Sequence, residues 1–194
     1  MNTTSATDDF PGKSRLIDAV KNAISGDCPH AITDCLRETL CHLIDDQAIE
    51  LPAEIFEPVS DHYARRELYH DPERGFTIMA MTWGPGQGTP IHDHSGMWCV
   101  EGVWQGMIEV TQYERTAAEA DRCRFESVGA VRAGTGSAGS LIPPHEYHAI
   151  RNPSGREVAV SIHIYRGEMT QCSVFLPAGD GWYRRQNRRL HCDN

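Results

Sequence analysis

The feature that most constrains the fold is a series of short segments rich in β-forming residues, which begins after Asp61 and is interrupted by glycine and proline. The turn signals between the segments include the sequences GPGQGTP, PSG and PAGDG. Short strands at this spacing, with turns between them, are typical of an all-β sandwich or barrel. The segments cover residues 63–69, 76–83, 91–104, 107–113, 140–142, 147–151, 158–165 and 172–176.

Two helical patterns precede the β-forming segments. The first begins at Lys13 and ends at Gly26 and Pro29, and the second ends before Pro52. The apolar residues that share one helix face are Leu16, Val20, Ala23 and Ile24 in the first pattern and Ile32, Leu36, Leu40, Leu43 and Ile44 in the second. We therefore predict a disordered lead-in over residues 1–12 and a single domain over 13–194. In that domain, helices at about 13–50 pack against a barrel at about 61–176.

The composition argues against several classes of function. The chain has 194 residues, with 18 Lys+Arg against 27 Asp+Glu, and its net charge of −9 does not favour a nucleic-acid or anionic-membrane surface. No apolar run approaches the roughly 20 residues of a membrane span, and residues 1–10 lack the pattern of a signal peptide. Seven cysteines, an odd number without a CxxC pair, do not indicate a disulfide scaffold. We expect a cytoplasmic protein, monomeric, without nucleic-acid or membrane partners.

Two histidine-containing segments carry the chemistry. His92 and His94 are separated by one residue, so on a strand their side chains point to the same face and can bind one metal ion. A third nitrogen ligand must then come from elsewhere, and the segment from Pro143 to His148, followed by Asn152, offers candidates. Alone, an HxH pattern is weak, because core and surface histidines also produce it. The second cluster strengthens the prediction of a metal site.

These two segments resemble the two motifs of the cupin family. The matching residues are Gly86, His92, His94 and Gly106 in the first motif and Pro143, His148 and Asn152 in the second. His145 stands where the family has glycine. The resemblance implies a jelly-roll-like cupin β-barrel, mostly β, with N-terminal helices and with His92, His94 and His148 as metal ligands. Cys99 occupies the position where cupins normally offer a glutamate as a fourth ligand.

A cysteine at that position beside three histidines is similar to the cysteine dioxygenase family, the non-haem iron thiol dioxygenases among the cupins. The other segments that resemble this family are Tyr63-Ala-Arg65, Trp83-Gly-Pro-Gly, Ser161-Ile-His163-Ile-Tyr165 and Cys172, seven residues after Tyr165. The resemblance runs from about residue 63 to residue 175. It implies an Fe(II) cofactor, a small thiol and O₂ as substrates, and a thioether between Cys99 and Tyr165.

The resemblance also implies roles for individual residues. Arg65, in the Tyr63-x-Arg65 segment, offers a planar fork of donors to the substrate carboxylate. Arg66 points the other way by strand alternation, although a bulge would exchange the two. Tyr165 positions dioxygen, and His163 and Ser161 hold Tyr165 through hydrogen bonds.

Simple charge balance favours a thiolate substrate. Three neutral imidazoles leave Fe(II) with its full charge, and a thiolate that also carries a carboxylate restores neutrality.

The remaining polar residues near these motifs are not predicted to bind metal or substrate. We expect Glu101 and Glu109 to face solvent, and Asp93 to point away from the histidines, with a supporting role as the alternative. The four arginines at 184–189 are expected in a solvated basic tail, with a docking patch as the alternative.

The predicted function is an Fe(II)- and O₂-dependent thiol dioxygenase that converts a small carboxylated thiol to its sulfinic acid, with L-cysteine as the first candidate. Cys99 favours cysteine, since the mercaptopropionate branch usually lacks it. Arg66 and Arg166, as additional arginines, favour a dicarboxylate thiol such as mercaptosuccinate. A further alternative is a non-oxygenase cupin, either a metal-dependent isomerase or a small-ligand binding protein.

Overall fold

The chain forms two helices followed by β-strands, and the computed structural model describes residues 9–193. The helices are α1 (Lys13–Ala23) and α2 (Pro29–Ile44), and a short 3₁₀ helix follows at Ala53–Phe56. Eleven strands lie within the described residues: β1 (Ala64–Asp71), β2 (Phe76–Trp83), β3 (Ile91–His92), β4 (Cys99–Gln105), β5 (Met107–Glu119), β6 (Arg122–Gly134), β7 (Ala138–Leu141), β8 (His148–Arg151), β9 (Ala159–Tyr165), β10 (Gln171–Pro177) and β11 (Trp182–Arg189).

The strands form two antiparallel sheets. One has five strands in the order β1-β2-β9-β4-β7, and the other closes in the order β10-β11-β6-β5-β8-β3. Non-sequential neighbours such as β2-β9-β4 are the crossovers expected of a jelly-roll-like arrangement. The mostly β cupin barrel with N-terminal helices that the sequence predicts is confirmed.

The five-stranded sheet is covered on both faces, and this places the interior of the molecule. Every residue of β2 and β9 is buried. On the outer face, Leu36 and Leu40 of α2 pack with Ile162 of β9 in one apolar cluster. Gly102 of β4 lets α2 approach, because a Cβ there would lie 2.7 Å from the Leu40 side chain. The opposite face of the sheet lines the barrel interior.

Two strands are absent from the sequence-based interpretation. β6 pairs with β5 along its whole length, and β11 joins β10 to β6. The arginine-rich segment at 184–189, expected as a solvated tail, is therefore part of the closed sheet. Its exposed arginines stand on a strand whose backbone is paired, so exposure of the side chains does not mean disorder of the chain.

The lead-in predicted for residues 1–12 lies mostly outside the described residues. Within its described part, Phe10 is buried against the core, and the carbonyl of Pro11 accepts a hydrogen bond from the N–H of Glu50 at 3.0 Å. Gly12 has a φ of 82° and lies so close to the Ala48 carbonyl that a Cβ would not fit.

Neither helix in residues 9–193 is both long enough and apolar enough to cross a bilayer.

Candidate metal centre and substrate recess

Three histidines meet where β3 pairs with β8. His92 lies directly opposite His148 in that pair, and His94 lies in the turn that follows β3. The Nε2 atoms of His92 and His148 are 3.0 Å apart. The ring of His94 is 5.4 Å from that of His92 and 4.9 Å from that of His148, measured between centroids. One ring nitrogen from each lies within 4.8 Å of the others, so one metal ion can reach all three.

Asp93 fixes the turn that presents His94. Its Oδ1 accepts hydrogen bonds from the N–H of Ser173 at 2.8 Å and of Ser95 at 3.2 Å. Ser95 and Gly96 have φ values of 55° and 76°, which reverse the chain immediately after His94. The sequence left Asp93 open between a polar surface position and a supporting role. Its side chain is buried, and it ties the turn to β10.

The donor set fits a divalent transition metal. Burial lowers the pKa of His92 to about 4 and lowers the pKa values of His94 and His148 well below the usual range, so all three imidazoles are neutral at pH 7. Nδ1 of His92 faces the Pro90 carbonyl at 3.2 Å, which places its proton there and leaves the Nε2 lone pair facing His148. Two nitrogens bound at right angles about 2.1 Å from one ion lie about 3.0 Å apart. Imidazole nitrogens of this kind suit Fe(II).

The three histidines form one wall of a recess between the two sheets. It contains about 330 Å³ of space not occupied by protein atoms, part of which is open to solvent. The residues that complete its lining are Tyr63, Arg65, Met81, Trp83, Thr89, Ile150, His163, Tyr165, Met169, Cys172 and Leu190. The lining offers both polar and apolar side chains to a molecule bound beside the three histidines.

The adjacent arginines of β1 point in opposite directions. Arg65 lines the recess, and its guanidinium donates to the carbonyls of Met169 and His191, each at 3.3 Å. Arg66 is buried on the other side, where it donates to Thr82 Oγ1 at 3.2 Å and to the Glu57 carbonyl at 2.9 Å. The irregularity in the β1–β2 pairing falls between residues 67 and 69 and therefore does not exchange the two side chains.

A chain of buried polar groups leads to Tyr165. Trp83 Nε1 donates to Ser161 Oγ at 2.8 Å, and the same Oγ lies 2.8 Å from His163 Nε2. His163 Nδ1 lies 3.4 Å from the Tyr165 hydroxyl. Burial and then the neighbouring Cys99 raise the pKa of Tyr165 well above its usual value, so the phenol is protonated at neutral pH. Tyr63 stacks on Trp83 with 4.6 Å between ring centroids and supports this wall.

Cys99 and Tyr165 are direct cross-strand partners on β4 and β9. Both are buried, and Cys99 Sγ lies 3.9 Å from His163 Nδ1. Burial, followed by the proximity of Glu101, raises the pKa of the Cys99 thiol well above its usual range. The thiol is therefore protonated and unreactive towards electrophiles at neutral pH.

The expectation that Glu101 faces solvent is wrong. Its side chain is buried, and its Oε2 lies 3.5 Å from His163 Nδ1 with no hydrogen-bond partner. Burial raises the pKa of Glu101 to about 8. The prediction rested only on position 101 not being a ligand position of the cupin motif. Strand alternation already places it on the same face as Cys99, two residues earlier.

Glu109 is half-buried at the surface, where it pairs with Arg132 and Arg151 at 3.0 and 2.6 Å. The sequence analysis missed several residues of the recess, among them Met81, Met169 and Leu190. Isolated apolar residues carry no pattern that separates a pocket lining from an ordinary core position. Cys172 also lines the recess, and burial raises the pKa of its thiol to about 11.

Comparison with known protein families matches residues 56–177 to the model of cysteine dioxygenase type I. The cysteine dioxygenase type 1 of Rattus norvegicus is 26% identical over 110 residues, and that of Danio rerio is 29% identical over 113 residues. Each alignment covers 57% of this chain and 54% of the relative. The chain thus spans about half the length of the curated relatives it matches.

Solved structures with a similar fold include the protein TT1209 from Thermus thermophilus, with a TM-score of 0.47 and 17% identity over 61% of this chain and 96% of that one. A recombinant oxalate oxidase in complex with glycolate has a TM-score of 0.44 and 16% identity over 56% of this chain and 53% of that one.

Proposed function

Since the chain belongs to the cysteine dioxygenase type I family, we propose that it is an Fe(II)- and O₂-dependent thiol dioxygenase. Its substrate is a small carboxylated thiol, with L-cysteine as the first candidate, and its product is the sulfinic acid. The observation that carries the proposal is the placement of three neutral histidines and one buried arginine on the walls of the same small recess.

His92, His94 and His148 would hold the iron. When bound, the iron supplies the site at which thiolate and dioxygen meet and exchange electrons. Neutral ligands leave the charge of the ion uncompensated, which favours an anionic substrate over a neutral one. Burial keeps these imidazoles neutral, so protons do not compete with the metal at neutral pH.

Arg65 is the group proposed to bind the substrate carboxylate. Two of its donors are already used on backbone carbonyls, and these contacts fix the orientation of the guanidinium. A guanidinium has five N–H donors, so others remain for a carboxylate in the recess. Because the Arg65 side chain is already ordered in the folded protein, it loses little conformational entropy when the substrate binds.

The positions of the other arginines favour a monocarboxylate thiol. Arg66 is buried away from the recess. Arg166 donates to the carbonyls of Arg74 and Gly75 on the surface. Among residues 9–193, Arg65 is the one arginine that lines the recess. This supports cysteine or 3-mercaptopropionate over mercaptosuccinate, and Cys99 supports cysteine over 3-mercaptopropionate through the family resemblance.

Tyr165 is proposed to orient the reacting oxygen, with His163 and Ser161 holding its hydroxyl through the contacts described above. Cys99 and Tyr165 are proposed to form a thioether, as the resemblance implies.

That the protein is a cytoplasmic monomer stays a prediction. A metal-dependent isomerase with a carboxylate ligand is disfavoured, because the buried carboxylate of Glu101 groups with Cys99 and His163 and not with the three histidines.

The decisive experiment measures oxygen uptake by the Fe(II)-loaded protein with cysteine, 3-mercaptopropionate and mercaptosuccinate in parallel, with the product identified by mass. We expect one O₂ consumed per sulfinate formed, and the highest kcat/KM for cysteine. His148→Ala provides the inactive control, and His145→Ala, at an exposed histidine nearby, provides the matched active one. Bound iron with no oxygen uptake from any thiol would refute the dioxygenase proposal.

A further inference from the structure

Glu101 lies between the substrate recess and a second depression on the protein surface. On β4 it is directly opposite His163 of β9 on one side and Gly139 of β7 on the other. His163 lines the recess. Glu101 and Gly139 line the second depression, which we call the outer groove. The contact between Glu101 and His163 thus joins one residue of each lining.

The outer groove is apolar and open. Its walls are formed largely by β5, β6 and β7, including Val110, Val128, Val131 and Leu141, and Val131 is 65% exposed. A Cβ built on Gly139 meets no atom within 4 Å, so the absence of a side chain there keeps the groove open beside Glu101. Among the described residues that line the groove, Glu101 is the one with an ionisable side chain.

The proposed reaction releases a proton that has to leave the recess. Oxidation of a thiol follows R–SH + O₂ → R–SO₂⁻ + H⁺: the S–H and O–O bonds break, two S–O bonds form, and sulfur gives four electrons to dioxygen. His163 is a poor final destination for that proton, because burial lowers its pKa to about 3. A neutral His163 can still relay a proton, because Nε2 can accept one from the Ser161 hydroxyl while Nδ1 releases its own to Glu101, and the hydroxyl then regains a proton from the recess.

We propose that Glu101 is a proton-carrying residue that acts through His163 and delivers the proton of each turnover from the recess to the outer groove. This inference rests on the proposed function for the source of the proton. The geometry that supports it is the 3.5 Å separation between Glu101 Oε2 and His163 Nδ1, and the lack of any other partner for that oxygen. A carboxyl whose pKa is about 8 also gains and loses protons easily near neutral pH.

The two residues are coupled through the neutral forms of the imidazole. With Glu101 protonated, its O–H is placed to donate to Nδ1, and Nε2–H then donates to Ser161 Oγ. With Glu101 ionised, the proton moves to Nδ1, and the Ser161 hydroxyl donates to Nε2. Both states satisfy the 2.8 Å contact between Ser161 and His163. Cys99 and Tyr165 also face this pair, and their raised pKa values keep them protonated through the same range. From the recess, Arg65 and His92 act on His163 and lower its pKa further.

The coupling is measurable in the metal-free protein by ¹⁵N NMR of the histidine side chains between pH 6 and pH 10. We expect the His163 ring nitrogens to exchange tautomer with a midpoint near the pKa of Glu101. The change should be absent in Glu101→Gln and preserved in Glu126→Gln, a control at an exposed glutamate of β6. The inference is overturned if the His163 tautomer does not change with pH in the wild type, or if it changes to the same extent in Glu101→Gln.

Turnover of the iron-loaded protein tests the delivery step. We expect Glu101→Ala to lower kcat about tenfold with little change in KM and to flatten the pH profile of kcat near pH 8. Added formate should restore most of the loss, because a small carboxylate can enter the outer groove. Gly139→Val should lower kcat by narrowing the groove. Gly134→Val, where an added Cβ also meets no atom within 4 Å and which lies outside the groove, should not.

Failure of the inference about Glu101 can be distinguished from failure of the proposed function. Normal turnover by Glu101→Ala and Glu101→Gln overturns the inference and leaves the proposed function intact. If the wild type consumes no oxygen with any thiol, the proposed function fails, and the NMR titration alone decides whether Glu101 and His163 exchange a proton.

Discussion

Arg65 and Arg66 are neighbours in β1, and the strand gives them different surroundings. Arg65 faces the recess, and Arg66 supports the packing between β2 and the 3₁₀ helix region through Thr82 and Glu57. We expect Arg65→Gln to raise KM for the thiol at least tenfold with iron content unchanged, because a charge-assisted contact to the carboxylate is lost. Steady-state kinetics and iron analysis measure both quantities.

Arg66→Gln is the matched variant. It removes hydrogen bonds from the Glu57 carbonyl and the buried Thr82 hydroxyl, and should lower the free energy of unfolding by about 1–3 kcal/mol while leaving KM within about twofold. If Arg66→Gln and not Arg65→Gln weakens substrate binding, the assignment of the carboxylate site to Arg65 is wrong.

Cys99 and Tyr165 are direct cross-strand partners, and we predict that a thioether bond joins them. A bond from Cys99 Sγ to a ring carbon of Tyr165 removes two hydrogen atoms, with dioxygen as the electron acceptor. After turnover, peptide mass analysis should find the two segments joined, with a mass lower than their sum by two hydrogens. Cys99→Ser must lack the joined peptide, and recovery of only separate peptides from the active wild type would exclude the bond.

At the scale of single residues, the spacing of motif residues and the alternation of side chains along strands predicted much of the candidate site. The HxH pattern led to His92 and His94, and alternation separated Arg65 from Arg66. Glu101 was misplaced although the same alternation applied to it, because a carboxylate is usually exposed and burial depends on both neighbouring strands. The pairing of Glu101 with His163 and Gly139 joins segments that are far apart in sequence, and no local pattern reports it.

At the scale of elements, burial explains which strands could be predicted. β2 and β9 are buried throughout and appear as continuous runs of β-forming residues. β11 is mostly exposed and rich in arginine, so its sequence resembles a polar tail. What makes it a strand is pairing with β10 and β6, helped by Trp182, whose ring is covered by Arg122 and Arg124 of β6.

The segment after β11 closes over β1. The N–H of Asp193 donates to the Arg65 carbonyl at 2.7 Å, the Asp193 carboxylate accepts from the N–H of Arg65 at 2.8 Å, and His62 Nε2 lies 2.9 Å from the same carboxylate. Leu190 of this segment lines the recess. The segment therefore holds the backbone of the residue proposed to bind the substrate carboxylate.

This closure should depend on pH. Asp193 and then Asp61 raise the pKa of His62, and hydrogen bonds from Arg65 and His62 lower the pKa of Asp193 against the effect of burial. The contribution of His62 is complete below its ordinary pKa of about 6.5 and is lost as pH rises through its raised value. We expect the protection factor of the Asp193 amide, measured by hydrogen exchange, to fall between pH 6 and pH 9.

His62→Gln should remove this pH dependence, and His70→Gln, at a histidine of β1 outside the contact, should preserve it. Protection that stays constant across the range in the wild type would show that Asp193 is held by its backbone contacts alone.

At the scale of the whole molecule, the metal site joins parts of the chain that folding must bring together. His92 and His94 lie about fifty residues before His148 in sequence, yet they meet because β3 pairs with β8 inside the closed sheet. A ligand that binds only the folded state raises its stability by mass action, by about 2.7 kcal/mol at a free concentration of 100 times Kd. For a chain of this length, this corresponds to a rise in Tm of about 5–10 °C.

We therefore expect anaerobic Fe(II) to raise Tm by this amount in scanning calorimetry. His92→Ala, His94→Ala and His148→Ala should each abolish the rise, because each removes one of three ligands. His145→Ala should retain it. The apparent Kd should rise steeply below the pH at which the free histidines become protonated, since protons then compete with iron for the same nitrogens. A variant that lacks one of the three histidines but keeps both the full shift in Tm and stoichiometric iron would show that this residue is not a ligand.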